Sequence, residues 1–220
     1  MLLKIFFVLL PWFLRRRLLN WWFKYEIDPS ARIGFAWIFP KRLVMNQGAR
    51  IDHLTVAVNL DSINMGEQST IGRGNWITGF PSGSDSRHFE HQEGRESELL
   101  IGKSTAITKN HHIDCTSRIE IGSFVTIAGY QTQMLTHSID LIENRQDSAP
   151  IRIGDYTFVG TNCVVLGGSV LPPHSVLGAK SLLIREFGDE WKIYAGCPAR
   201  VVGEIPRDAK YFTRIDGFVY

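Results

Sequence analysis

The chain has only three cysteines in 220 residues, Cys115, Cys163 and Cys197, and no two stand at C-x-x-C spacing. That scarcity excludes a disulfide framework and a cysteine zinc knuckle, and fits a reducing compartment. No apolar run reaches the roughly 20 residues that a membrane-spanning helix needs. The best candidate, residues 2–14, is interrupted by Lys4 and Pro11 and closed by Arg15-Arg16-Arg17. A secretory signal is not expected either, because the positive cluster follows the apolar run and no small-residue cleavage site comes after it. Extremes of composition are also absent. A hydrophobic content of 44% and a charged content of 21% are those of an ordinary folded domain, which rules out wholesale disorder and a polytopic membrane protein. At this length one core is expected.

Acidic residues are absent from one region in particular. The first 25 residues hold five of the 24 basic residues and none of the 22 acidic ones, leaving 19 basic against 22 acidic for the rest. A nucleic-acid-binding domain would carry its basic stripe through the body, so no nucleic-acid partner is expected. Arginines beside Trp21-Trp22-Phe23 are instead the composition of a helix lying in a lipid headgroup region. The sequence therefore predicts an amphipathic helix over residues 1–26, contacting a membrane surface through residues 1–25. Packing of this segment on the body or on a neighbouring subunit is the alternative, and a true span has least support. The expected location is cytoplasmic, peripheral on the cytoplasmic membrane face.

What is abundant is a repeat. Ile153, Val159, Val165, Leu171, Leu177 and Leu183 are aliphatic residues at a strict spacing of six, and four positions after the first five come Thr157, Cys163, Ser169, Ser175 and Ser181. Ile101, Ile107, Ile113 and Ile119 repeat the rule before the phase shifts to Ile121 and Ile127, and Met65, Ile71 and Ile77 precede them. Ile27 and Ile33 begin the series. A helix has no such period, and sandwich strands alternate with period two. A unit with one large and one small inward residue is a short strand plus a corner; no unit buries its aliphatic alone, so the units coil and stack into a prism. Gly167-Gly168 and Asn162 suit the corners, where positive φ is cheap for glycine and tolerable for asparagine. Residues 79–98 and 138–150 carry no repeat and read as two extruded loops, with residues 205–220 as a C-terminal tail. His88 and His91 lie in the first loop, where H-x-x-H without further ligands reads as solvated or substrate-touching, so no metal is expected.

The stretch "IGDYTFVGTNCVVLGGSVLPPHSVLGAKSLL" resembles the hexapeptide-repeat acyltransferases, whose fold is an all-β left-handed parallel β-helix, and the resemblance covers residues 27–204. It implies acetyl-CoA as acyl donor, a homotrimer with clefts between adjacent prisms, and a sugar or glycan hydroxyl as acceptor, for instance on a lipid-linked precursor. Acyl transfer from a thioester needs a base for the hydroxyl proton, donors for the oxyanion and alignment of two substrates. Histidine suits the base role at neutral pH. His137 in "MLTHSIDL" stands where the repeat stops and the second loop starts, and it matches the family's catalytic histidine. In "KNHHIDC", Asp114 resembles a family carboxylate that orients the base or holds the sugar, with His112 and Asn110 as acceptor-binding candidates.

On the donor side the resemblance implies that the Thr161 N–H faces the thioester carbonyl, Phe158 lines the pantetheine channel and Ala179 makes a backbone contact. Arg185 and Arg200, the latter in "YAGCPARVV", would pair with coenzyme phosphates, which guanidinium suits by its bidentate fork. A γ-type zinc carbonic anhydrase also uses this repeat, but it wants a second histidine shortly after His137, and residues 138–150 contain none. A catalytically silent scaffold is the other alternative. Serine acetylation and sugar N-acetylation remain open variants of the acyltransferase reading.

Overall fold

A computed structural model describes residues 2–84, 86–217 and 219. Two short helices, α1 (Leu2–Leu9) and α2 (Trp12–Trp22), precede a coil of short strands. The sequence predicts one helix here; two form because Pro11 takes the N-cap position of α2 at φ −53°, a residue with no N–H to carry a helix through.

The strands form three long sheets, of seven, nine and seven strands, which are the three faces of a prism. Apart from the last strand of the nine-stranded sheet, each strand pairs in parallel with the one a full coil away: Ile27 with Met45, Ile33 with Ile51, Ile113 with Met134, Val165 with Leu183. The inward column of the second sheet reads Ile33, Ile51, Ile71, Ile107, Ile127, Val159, Leu177 and Tyr194, all buried. In the first sheet the strands place two residues inward, as in Leu99–Ile101, Ile119–Ile121 and Ile151–Ile153. The phase shift at Ile119 to Ile121 is thus an extra inward position and not a break in the coil. Gly102 lies where coils touch at their corners: a Cβ there would come within 2.5 Å of the Gly122 carbonyl carbon and the Ser123 nitrogen.

The first coil has no earlier coil to pair with, so its backbone groups need other partners. The helices supply them. Asn20 imitates a strand, donating from Nδ2 to the Ile27 carbonyl at 3.2 Å and accepting the Ile27 N–H at 3.3 Å. Arg15, 3% exposed, donates to the Gly34 carbonyl at 2.8 Å and the Ala36 carbonyl at 2.9 Å, and burial lowers its pKa to about 10, leaving it charged at neutral pH.

The tail does not hang free. At one corner Phe124, Tyr156, His174 and Trp191 all adopt positive φ, and their rings stack at centroid distances of 4.7, 5.4 and 4.5 Å, near the spacing of about 4.8 Å between neighbouring strands. The tail runs back over this ladder. Phe212 packs against His174 and Trp191, Arg214 lies over Tyr211, Tyr156 and Phe124, and Gly217 meets Ser104.

A second corner is lined by buried polar side chains. His111 accepts the Thr132 N–H on Nδ1 at 3.1 Å and meets the Thr108 hydroxyl at Nε2, 3.0 Å away. Burial lowers its pKa to about 4 from an ordinary 6.5. Unfolded chains take up this proton below about 6.5 while folded ones resist until about 4, so stability is whole at neutral pH and falls as pH drops through that window. Urea unfolding at about pH 7 and pH 4.5 should show this component as a loss of roughly 2–3 kcal/mol. His111→Gln, which cannot titrate, should lack that component, narrowing its stability gap to the wild type at the lower pH.

Candidate active site

Coil geometry decides what each candidate can touch. Asp114 ends the strand His112–Asp114, in which Ile113 is buried, so His112 and Asp114 share the outward side. The next coil brings Leu135 beside Asp114, and two residues later the chain leaves the prism as an antiparallel hairpin, His137–Asp140 with Arg145–Ser148. His137 stands at the root of that hairpin.

The structure brings His137 and Asp114 together without joining them. Asp114 Oδ2 lies 3.9 Å from His137 Nδ1, too long for a direct hydrogen bond and close enough for a field effect. The other carboxylate oxygen is held by the Thr116 N–H at 2.8 Å and the Thr116 hydroxyl at 2.7 Å, which fixes the carboxylate's orientation. His137 Nε2 meets the Gln146 side-chain oxygen from across the hairpin. The imidazole is exposed, with one ring nitrogen toward a carboxylate and the other toward an amide, as a proton-transfer group requires.

His112 is exposed on the same strand, flanked by Trp76 and Gln133 in the register. Asn110 takes a corner at φ +54°, its N–H given to the Arg73 carbonyl at 3.0 Å and its carbonyl accepting the Gln131 N–H at 2.9 Å. The donor-side candidates sit away from His137. Phe158 is on the second sheet, and Thr161 and Ala179 belong to the corner between the second and third sheets, one coil apart. Arg185 and Arg200 are exposed near the C-terminal end of the coil. His137 opens from the corner between the third and first sheets, whereas Asn110 takes the same corner as Thr161 and Ala179, so within one chain the proposed base stands apart from the donor-side candidates.

The first loop is expected from the sequence to border the acceptor site, but sequence reasoning does not name Phe89 and Arg95, the residues through which it reaches His137. Phe89, 6% exposed, turns its ring edge-to-face against His137 at 5.5 Å between centroids. Arg95 holds it there: its guanidinium lies 4.6 Å over the Phe89 ring and donates to the Phe80 carbonyl at 2.6 Å and to the Thr116 carbonyl, two residues from Asp114. Phe80 and Phe89 are the only aromatic residues in an otherwise polar loop, and that contrast was the available signal.

Gln92 ties the loops together. Its amide donates to Asp147 Oδ1 at 2.6 Å and the Ser148 carbonyl at 2.8 Å, and accepts the Ser148 hydroxyl at 2.6 Å. Gln92→Ala should therefore loosen both loops at once. Limited proteolysis should cut faster within residues 79–98 and within 138–150 in the same variant, while the global unfolding midpoint hardly moves, since these loops open locally.

Over 121 residues the chain is 31% identical to the galactoside O-acetyltransferase of Escherichia coli K12. The match takes in 53% of this chain and 59% of that protein, so the chain spans less than two thirds of its curated relative. The solved maltose O-acetyltransferase of Clostridium difficile 630 superposes with a TM-score of 0.51 at 18% identity, over 64% of this chain and 69% of that one. An N-acyltransferase from Bacillus cereus, in complex with dTDP and coenzyme A, gives 0.53 at 14% identity over 87% of this chain and 90% of that one. No family model matches the chain. By sequence over the matched half, and by a coil that is the left-handed parallel β-helix, the chain is similar to the hexapeptide-repeat acetyltransferases.

Proposed function

We propose that the chain is an acetyl-CoA-dependent O-acetyltransferase acting on a hydroxyl of a sugar or glycan. The observation that carries this reading is His137 itself: an exposed imidazole at the root of a hairpin, 3.9 Å from an anchored carboxylate. The chain is also 31% identical over its matched part to a galactoside O-acetyltransferase. In the proposed reaction His137 takes the acceptor's hydroxyl proton as the oxygen attacks the thioester carbonyl. The Thr161 N–H receives the developing oxyanion. Collapse breaks the carbon–sulfur bond, and the departing thiolate takes the proton from the imidazolium, leaving an acetyl ester and free coenzyme A. Asp114 favours the imidazolium as it forms.

Donor-side candidates at a different corner from His137 support a site completed across adjacent chains in a trimer. The exposed Leu54, Trp76 and Tyr130, at or beside the corner of Thr161, form an apolar outer wall that such packing would cover. Phe158 would line the pantetheine channel with Tyr211 of the tail, whose ring meets it edge-on at 5.8 Å.

In assays with acetyl-CoA and sugar acceptors, followed by mass spectrometry of the acetyl ester, His137→Ala should lower turnover by about 10²- to 10⁴-fold with an unchanged trimer mass. Asp114→Asn should cost less. Near-normal turnover in the His137 variant would overturn the reading. Arg185→Ala and Arg200→Ala should each raise the apparent constant for acetyl-CoA and leave that for the acceptor unchanged. If dephospho-coenzyme and full coenzyme are affected equally, neither arginine reads the 3′-phosphate.

A further inference from the structure

The helical head has both committed and uncommitted side chains. The committed ones are spent on the prism: Phe7 and Leu19 are buried, Arg15 and Asn20 close the backbone of the first coil, and Phe23 packs on Tyr25 and Phe39. The head also leaves large apolar side chains uncovered. Phe6, Leu9, Phe13, Leu14, Trp21 and Trp22 are all exposed, Leu9 and Phe13 at 68%. Such a set on an end cap is far from the scattered single residues of ordinary surfaces.

Charge selects the occupant. Arg17 and Lys24 are exposed among these side chains, and no acidic residue occurs before Glu26, whose carboxylate is paired with Arg42 at 2.9 Å. Aromatic and aliphatic groups rimmed by cations fit the boundary between acyl chains and anionic headgroups. Crossing is excluded by length, since the 11 residues of α2 extend about 16 Å against a hydrocarbon core of about 30 Å. It is also excluded by commitment, because withdrawing the head would strip the first coil of its hydrogen-bond donors.

We propose that these uncovered side chains dock on an anionic lipid surface and seat the prism on its N-terminal end. The orientation follows from the stacking. In the third sheet the strand Gln133–Leu135, which leads to His137, is the fifth from the head. Four spacings of about 4.8 Å place the His137 cleft roughly 20 Å further along the prism than the first coil. The bilayer therefore contacts the cap and not the cleft.

The test uses the full-length protein and vesicles of phosphatidylcholine alone or with about one third phosphatidylglycerol. The protein should sediment with the mixed vesicles and several-fold less with phosphatidylcholine alone. Raising salt to about 0.5 M should weaken the attachment without abolishing it, since insertion of apolar groups is not screened. Replacing Phe13, Trp21 and Trp22 together by serine should reduce binding at least tenfold with an unchanged melting temperature and oligomeric mass. Failure of the wild type to sediment with mixed vesicles, or equal salt-independent binding to both kinds, would overturn the proposal. A lower oligomeric mass in the triple variant would also overturn it, and would make these side chains part of an interface between copies. None of these readouts depends on catalysis.

Discussion

Every coil of the prism completes the hydrogen bonding of its neighbours, and only the two ends lack a neighbour. That constraint governs much of the rest. A coil can extend only while each inward side chain fits over the one below, hence Ile, Val and Leu in columns and small residues at the corners. Where the stack begins, an edge must be closed by something other than a strand, and Asn20 and Arg15 do so with side chains. Where it ends, the strand Lys192–Gly196 folds back on Ala199–Glu204 as an antiparallel pair, which cannot seed another parallel coil.

The coil was legible because its rule is one-dimensional. Ile153 to Leu183 announce the period with no knowledge of distant contacts, and the structure places each of them in the core. Legibility fades toward the first coils, where Ala57 stands in an inward column that elsewhere holds larger side chains such as Ile77, Ile113 and Met134, so hydrophobic spacing alone does not mark it. The tail was not legible as a strap. Its partners Phe124, Tyr156 and His174 are far away in sequence and become neighbours only through the stacking that the repeat creates.

The candidate site divides in the same way. His137 and Asp114 could be named because they adjoin the repeat, and one coil of stacking brings them to 3.9 Å. Phe89, Gln92 and Gln146 could not be, because a loop's register against another loop follows no period. In the structure those loops are one assembly: Gln92 joins them, Arg95 braces Phe89, and Phe89 rests on the imidazole. His111 and His112 show how little sequence proximity means here. They are adjacent in the chain, yet one is sealed into a corner and the other faces solvent.

The strap changes what kind of object the prism is. A stack of repeats is an open chain of nearest-neighbour couplings, and such arrays fray from whichever end is weaker. Here residues after the last coil return to Phe124 and Ser104, so the late coils are held to the middle ones by a second, non-local connection. The C-terminal half is thus held by contacts beyond nearest neighbours, from the tail to Phe124 and Ser104. Loss of its last strands has to break the strap first, and this couples the part of the prism that carries Phe158 and Thr161 into a single cooperative unit.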